Sequence, residues 1–571
     1  MDRSRHWTAL AASLLMLAVP AATVAHDPSP VADGKAKTTE IQILGLNDFH
    51  GAIEPPSGSA GRLGPSGTPE FGGSEYLATH VRDLRATNPN TLFVSAGDLI
   101  GATPLISALF HDEPTIEAFN LMELDYNGVG NHEFDEGVDE LLRMQYGGCH
   151  PVDGCQDGDA FAGARFDFLA ANVKYKSSGE TIFAPYKIHH FNGVKVGIIG
   201  MTLEGTPQIV TPAGISTVDF LDEAETANAA VAELRKQNVE TIIVLLHEGG
   251  TTSTAGNGAG AGADRINDCV NPAGALPPIV AAMDDEVDVV VTGHTNWAVN
   301  CVIDGKIVTG AAANGRVITD IDLTVSRASK DVVAAYVNNK PVARDVAKAA
   351  DLTQLVDKYR ALTAPLANRV VGSVTADITR TANAAGESAL GDVIADAQLA
   401  ATSAPQFGGA VVAFMNPGGI RGDITRAQIS GGEELGEVTY GELFTVQPFN
   451  NVMTVLTCTG AQIDALLEQQ FTVNRILQVS SGFTYTWNNA APVGSRVDIA
   501  SIQIDGTPIS SAGSYRVATN NFLATGGDGF SVFTGCSDPL GGEIDLDALV
   551  SYFEANSPVA PGSRDRITRL N

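Results

Sequence analysis

From about residue 40 the chain alternates short apolar runs with amphipathic stretches, the pattern of an α/β domain. The apolar runs are Ile41–Leu46, Thr91–Val94, Lys195–Ile199, Thr241–Leu246 and Val287–Val291. Runs of strand length with so few polar residues predict strands buried on both faces. Four of the five lead at once into polar or Gly-rich residues carrying Asp, His or both. Ligands of open α/β sheets bind just beyond the carboxyl ends of strands, so chemistry is expected in these loops. Between Asp345 and Ala367, residues Val346, Leu352, Leu355, Val356, Tyr359 and Leu362 recur at helical spacing up to Pro365, predicting a helix that connects two domains. Residues 368–571 change character. Thr- and Val-rich strands are predicted at Val411–Met415, Val452–Cys458 and Tyr515–Thr519, with a helix at Ala461–Phe471, so this is a second, mixed α/β domain. The Gly- and Thr-rich stretch 249–264 cannot bury enough surface to order strongly and is expected to be a mobile surface loop.

Composition narrows the class. A chain of 571 residues that is 44% hydrophobic and 18% charged is a soluble globular protein, neither disordered, collagenous nor multi-spanning. Its formal charge of −31 repels nucleic-acid polymers and anionic membrane surfaces, so neither is expected as a partner. Residues 1–25 place Arg3 and Arg5 before an apolar stretch, Ala9 to Pro20, with small residues up to Ala25. That is the layout of a secretory signal peptide cleaved near Ala25–His26. With no second apolar run of spanning length, the mature protein is expected in the periplasm or outside the cell, without a membrane anchor. Six Cys suit disulfides in that compartment, and their spacing suggests Cys149–Cys155, Cys269–Cys301 and Cys458–Cys536, one of several possible connectivities. A thiolate zinc site would need close Cys pairs, which are missing.

Five clusters in the first domain carry metal-binding chemistry: Asp48-Phe-His50, Gly97-Asp98, Gly130-Asn131-His132-Glu133, His247-Glu248 and Gly293-His294-Thr-Asn296. Asp48 and His50, two apart at a strand end, are expected to point the same way and grip one ion. Oxygen and imidazole donors without thiolate suit zinc, manganese, cobalt or iron. Two cations about 3.5–4 Å apart need an anion between them, and Asp98 is the natural bridge. Such a pair lowers the pKa of water and holds phosphate oxygens during in-line displacement, so phosphoester hydrolysis is the reaction the set serves best. Its local positive charge outweighs the distant −31, which salt screens beyond about 8 Å. His80, His111, His150, His189 and His190 sit in no such context and are expected to be structural or surface residues.

Together the segments Asn-Asp48-Phe-His50-Gly, Gly-Asp98, Gly-Asn131-His132-Glu-Phe-Asp135, His247 and Gly-His294-Thr-Asn296 resemble the calcineurin-like metallophosphoesterases, specifically the secreted 5′-nucleotidase family. In the second domain Asn416-Pro-Gly-Gly-Ile-Arg421-Gly-Asp, Gln447-Pro-Phe449 and Asn521-Phe522-Leu-Ala-Thr-Gly-Gly-Asp528-Gly-Phe530 resemble that family's nucleotide-binding segments. The resemblance covers residues 40–571 and implies three parts. These are an N-terminal four-layer α/β/β/α domain (40–335), a linking helix (345–367) and a C-terminal nucleotide-recognition domain (368–571). Carried over position by position, it implies two divalent ions held by Asp48, His50, Asp98, Asn131, His247, His294 and Asn296. It makes His132 and Asp135 the catalytic pair, Arg421 a phosphate contact, Phe449 and Phe522 the rings that stack a base, and Asn416 and Asp528 substrate-binding residues. His132, following a ligand, projects differently and is free to donate to a phosphate oxygen, and Asp135 three residues on can fix its tautomer. Relatives carry further arginines before Glu387 and after the first metal motif; here Arg380 stands off the matching position, and Ala52 and Ile53 follow Gly51. The implied reaction takes nucleoside 5′-monophosphates to nucleoside and phosphate. The alternatives are cyclic-nucleotide or nucleotide-sugar hydrolysis on the same site, a thiosulfohydrolase of the same architecture, and a binding protein without catalysis.

Overall fold

Strand Thr38–Leu46 shows how the first domain is layered. Ile41 and Ile43 pack between two sheets with Leu92, Val94, Ile198, Ile243, Leu245 and Val291. Leu44 and Leu46 point the other way, onto Leu77, Val81 and Phe119 of the outer helices. The two-residue period of a strand thus divides one apolar run between two cores. Strand Thr241–His247 does the same: Ile243 and Leu245 face the first sheet, while Ile242, Val244 and Leu246 meet Ala227, Val231, Leu234 and Val280. Each fully buried side chain of this kind stabilises by about 1.5–3 kcal/mol. The computed structural model describes residues 38–571 apart from 66, 211, 253–261 and 450. The expected signal peptide and the centre of the expected 249–264 loop lie outside the described residues.

One six-stranded sheet runs in the order Val332–Pro341, Val317–Ser326, Thr38–Leu46, Thr91–Ser95, Tyr126–Gly128, Asp167–Leu169. The other runs Ala298–Ile303, Lys306–Ala311, Val289–Thr292, Thr241–His247, Val194–Thr202, Tyr186–Phe191. The central strands pair in parallel, so their carboxyl ends gather on one side of the sandwich. With helices such as Ser74–Arg85 outside the first sheet and Glu223–Lys236 outside the second, this is the four-layer α/β/β/α arrangement.

The connecting helix spans Ala350–Ala367, starting five residues later than its periodicity suggested and running past Pro365. The late start has a cause: the Ala349 amide donates to the Glu75 carbonyl (3.0 Å), which fastens residues before 350 to helix Ser74–Arg85. Leu352, Val356 and Tyr359 pack into the first domain's core, and Leu366 and Ala367 against the second's, so one helix joins both. The second domain is built on a five-stranded sheet, Gln478–Val479, Val412–Met415, Ser514–Asn520, Val452–Thr459, Ser537–Ile544, and a four-stranded sheet containing Phe483–Asn488 and Ile567–Leu570. Its helix Gly460–Thr472 opens with a capping box in which Thr459 and Gln462 bond each other's backbone. The three expected disulfides, Cys149–Cys155, Cys269–Cys301 and Cys458–Cys536, are all formed.

Candidate active site

The strands end at Leu46, Ser95, Gly128, His247 and Thr292, and the loops after them converge. The Asp48 amide donates to the Gly97 carbonyl (2.9 Å) and the His50 amide to the Asp98 carbonyl (3.0 Å), stitching the first two loops together. Asp48 and His50 do face one site, but not through strand alternation. Both lie past the strand in left-handed backbone, φ 49° and 47°, as do Asp98, His294 and Asn296 at 52°, 68° and 61°. Such conformations cost non-glycine residues roughly 1–3 kcal/mol each and persist where the surroundings over-determine them. Two glycines make room: a methyl at Gly130 would overlap the Asp98 carboxylate, and one at Gly97 would lie 2.7 Å from His247 Nδ1.

Asp98 is the shared group. Its donor atoms cluster on one side with His50 and His132 and on the other with His247 and His294. Asp98 Oδ2 is 3.0 Å from His247 Nε2 and 3.9 Å from His50 Nε2. Asn131 Oδ1 lies 3.1 Å from His247 Nε2 and 2.9 Å from His294 Nδ1, which completes a group of two nitrogens and two oxygens. The opposite ring nitrogens of two histidines are engaged by backbone. His50 Nδ1 donates to the Gly101 carbonyl (2.9 Å) and His247 Nδ1 to that of Ala96 (2.7 Å), leaving Nε2 as the free donor atom of each. Asp48 accepts from the amides of His294 (2.8 Å) and Asn296 (3.2 Å) and from Asn47 Nδ2 (2.7 Å). Asn296 Oδ1 is buried with no hydrogen-bond partner, an orphan that a cation beside Asp48 and His50 would satisfy. The donor set therefore fits two divalent ions sharing Asp98.

Electrostatics agree. Burial pushes the His50 and His294 imidazoles down to about 3, so both are neutral and able to bind metal. Burial also raises the Asp48 carboxyl to about 6, against the pull of His247. Asp98 is equally buried, yet the charges of His247, His132 and His50 hold it well below the usual carboxylate range.

His132 Nδ1 donates to Asp135 Oδ2 (2.7 Å), as expected of a tautomer-fixing pair. Burial lowers the His132 pKa, but the charges of Asp135 and Asp98 more than offset this and raise it. From the second domain, the Phe449 ring stacks on His132 with centroids 5.8 Å apart and planes at 13°, and the Arg421 guanidinium lies 5.6 Å from the centre of the same ring. Asp528, at φ 54°, accepts from Asn416 Nδ2 (2.9 Å) and pairs with Arg475 Nε (3.3 Å). Phe522 lies flat on Gly527, where a Cβ would come within 2.6 Å of three ring carbons.

Two residues of the sequence motifs have supporting roles that the sequence reading did not assign. Glu133 is buried and accepts from the amides of Asp98 (2.9 Å), Leu99 (2.9 Å) and Gly130 (2.7 Å), tying the loop after Thr91–Ser95 to its own loop after Tyr126–Gly128. Asn47 donates to Asp48 and accepts from the Ala311 amide (2.6 Å). Both stand within the motifs, but nothing in their spacing shows that backbone from other loops would reach them.

Residues 41–297 match the calcineurin-like phosphoesterase family, and residues 370–535 match the 5′-nucleotidase C-terminal domain. The chain is 33% identical to Bacillus subtilis endonuclease YhcR over 92% of its own length, but spans only 41% of that protein. It is 34% identical to Listeria monocytogenes cell wall protein Lmo0130, covering 92% of this chain and 68% of the relative. Among solved structures, a 5′-nucleotidase precursor from Thermus thermophilus superposes with a TM-score of 0.72 at 26% identity, over 93% of this chain and all of that one. Two domain matches in one order, over a site whose histidines and amides converge on Asp98, make this chain a member of the 5′-nucleotidase family of calcineurin-like phosphoesterases.

Proposed function

We propose that the protein is an exported, metal-dependent phosphohydrolase that converts nucleoside 5′-monophosphates to nucleoside and phosphate. The observation that carries this reading is the meeting of the two domains: Phe449 of the second stacks on His132 beside the Asp98 cluster, with the Arg421 guanidinium against the Phe449 ring. Asp48, His50, Asp98 and Asn296 would hold one ion, and Asp98, Asn131, His247 and His294 the other. Two divalent ions supply Lewis acidity and a water of lowered pKa when bound. His132, held protonated by Asp135, donates from Nε2 to a phosphate oxygen and stabilises charge as the ester bond breaks. Arg421 offers a planar fork to two further phosphate oxygens. Phe449 and Phe522 stack the base, and Asp528, oriented by Asn416, accepts from the nucleoside's hydroxyls.

A phosphodiesterase reading has one observation in its favour, the similarity to a protein named an endonuclease. The chain's net charge of −31 opposes a polymeric anion. Assaying nucleoside 5′-monophosphates, 2′,3′-cyclic nucleotides, nucleotide sugars and a short oligonucleotide, with metal and with chelator, separates the readings. Metal-dependent release of phosphate that is fastest from monophosphates is expected. Turnover of the oligonucleotide alone would overturn the nucleotidase assignment.

A further inference from the structure

The backbone behind His50 is bent against its preference: Gly101 and Ala102 both stand in left-handed conformation, φ 78° and 50°. Gly101 serves two parts of the site at once. Its carbonyl accepts from His50 Nδ1 (2.9 Å), and it lies so close to the His132–Asp135 pair that a Cβ would stand 2.5 Å from the His132 carbonyl oxygen and 2.8 Å from Asp135 Oδ2. A shift of this one residue therefore reaches both His50 and His132. What holds it is Asp112. The Gly101 amide donates to Asp112 Oδ2 (3.0 Å) and the Ser107 hydroxyl to Asp112 Oδ1 (2.7 Å), with Thr115 Oγ1 2.7 Å from that hydroxyl.

Asp112 is an unexpected residue for its place. It precedes helix Glu113–Leu121, where an aspartate commonly accepts from the first helical amides, yet its side chain makes no such bond. Its backbone is left-handed, φ 63°, a conformation that glycine adopts without the strain a side chain brings. It is buried, and burial lifts its carboxyl to about 6 against the hydrogen bonds it accepts. Strain and desolvation both oppose a carboxylate here, and the contacts that offset them are those to Gly101 and Ser107.

We propose that Asp112 is a positioning residue of the active site: by pinning Gly101 it orients the His50 ring and fixes the seat of the His132–Asp135 pair. This role rests on the reading above, in which His50 holds metal and His132 donates to a phosphate oxygen. A carbonyl on the far nitrogen of a metal-bound histidine fixes its tautomer and ring orientation, and Asp112 in turn fixes the residue that carries that carbonyl. Asp112 stands outside every motif of the sequence, 62 positions after His50, and only the fold brings it behind that ring.

Two variants test it. Asp112→Gly removes the carboxylate while suiting the left-handed backbone, so the fold should survive, as an unchanged near-UV circular dichroism spectrum checks. Asp112→Asn keeps an oxygen for the Gly101 amide and turns its NH2 to Ser107, whose hydroxyl can accept. Zinc titrated into the metal-stripped full chain against a chromophoric chelator should bind Asp112→Gly at the wild-type stoichiometry, with the Kd of one ion raised by roughly 10–100-fold, and Asp112→Asn should recover most of that affinity. With zinc saturating, Asp112→Gly should lower kcat for a nucleoside monophosphate by roughly tenfold or more and leave KM nearly unchanged. A readout free of metal and turnover is the isotope-labelled histidine NMR spectrum of the metal-free chain. There the His50 ring signal, identified by its loss in His50→Ala, should shift in Asp112→Gly and return in Asp112→Asn. A His50 signal and zinc affinities that Asp112→Gly leaves unmoved would overturn the role, and so would an Asp112→Asn variant no better than Asp112→Gly. A wild type that binds no zinc or turns over no nucleotide, while the His50 signal still follows Asp112, would sink the reading of the site and leave the hold of Asp112 on His50 standing.

Discussion

Asp98 and His132 are adjacent in space and differ in what their neighbours leave free. Asp98 presents Oδ2 to both histidine groups, whereas the Nδ1 of His132 is spent on Asp135. Replacing the shared carboxylate should therefore empty both metal positions, and Asp98→Ala is expected to hold little metal under conditions that saturate the wild type. His132→Ala is expected to keep its metal and to lose turnover by roughly 10²–10⁴-fold, the range of general acid–base catalysis. Because a His132 nitrogen also lies within ligand reach of His50 and Asp98, metal content decides the matter rather than activity. Equal metal loss in the two variants would make His132 a ligand.

Single elements carry two further expectations. Phe522 keeps its place by lying on Gly527, so Gly527→Ala, by displacing the ring, should mimic Phe522→Ala. Both, and Phe449→Ala, are expected to weaken nucleotide binding by about 1–3 kcal/mol, roughly five- to 150-fold, while hydrolysis of a base-less phosphate ester barely changes. Comparing KM for a nucleotide with that for a small aryl phosphate reads the difference. In the sandwich, Leu245 crosses the inter-sheet core onto Gly128, where a Cβ would stand 2.9 Å from its own. Leu245→Ala leaves a void that neither sheet can close and should cost about 2–5 kcal/mol, measurable by denaturant unfolding.

At the scale of the molecule, one helix is embedded in both cores, and the proposed function draws the metal ligands from the first domain and Arg421, Phe449 and Phe522 from the second. A cavity of about 310 Å³, lined among others by Ile106, Thr363, Glu442 and Thr445, lies between the domains beside that helix. A disulfide engineered to hold the domains apart should leave metal bound and stop nucleotide turnover; normal turnover would show that the second domain does not supply substrate contacts. The pH dependence of stability has an identifiable contributor in Asp545, almost fully buried at the start of helix Asp545–Asn556, where burial raises its carboxyl to about 7 against hydrogen bonds from Asn451 and the Leu546 amide. Its folded pKa exceeds the unfolded value near 3.8, so its contribution is fully present below pH 4 and is lost as pH rises through about 7. Three units correspond to roughly 4 kcal/mol. Asp545→Asn should raise the melting temperature at alkaline pH, with the gain vanishing near pH 4, as followed by calorimetry at saturating metal.

Sequence alone determined what depends on local order. The five apolar runs became buried strands because a strand's two-residue period and a polar loop at its end can be read without any partner. Asp48, Asp98, His247 and His294 were legible for the same reason, since each stands at or just past the end of a predicted run, whereas Asn131 and His132 follow Tyr126–Gly128, a strand with no apolar run to announce it. The nearest-neighbour disulfides were also suggested by spacing, although only the folded chain selects them among the alternatives. Tertiary structure decided everything that depends on which backbone meets which side chain. Glu133 collects three amides from two loops, Asn296 is left with a bare oxygen, and Phe449 crosses from one domain to stack on a histidine of the other. His111 and His150 lie far apart along the chain and are brought into contact only by the folded helices and the closed Cys149–Cys155 loop. Periodicity encodes the burial of an element against the core. It does not encode long-range register, and at this site the register of five loops sets the chemistry.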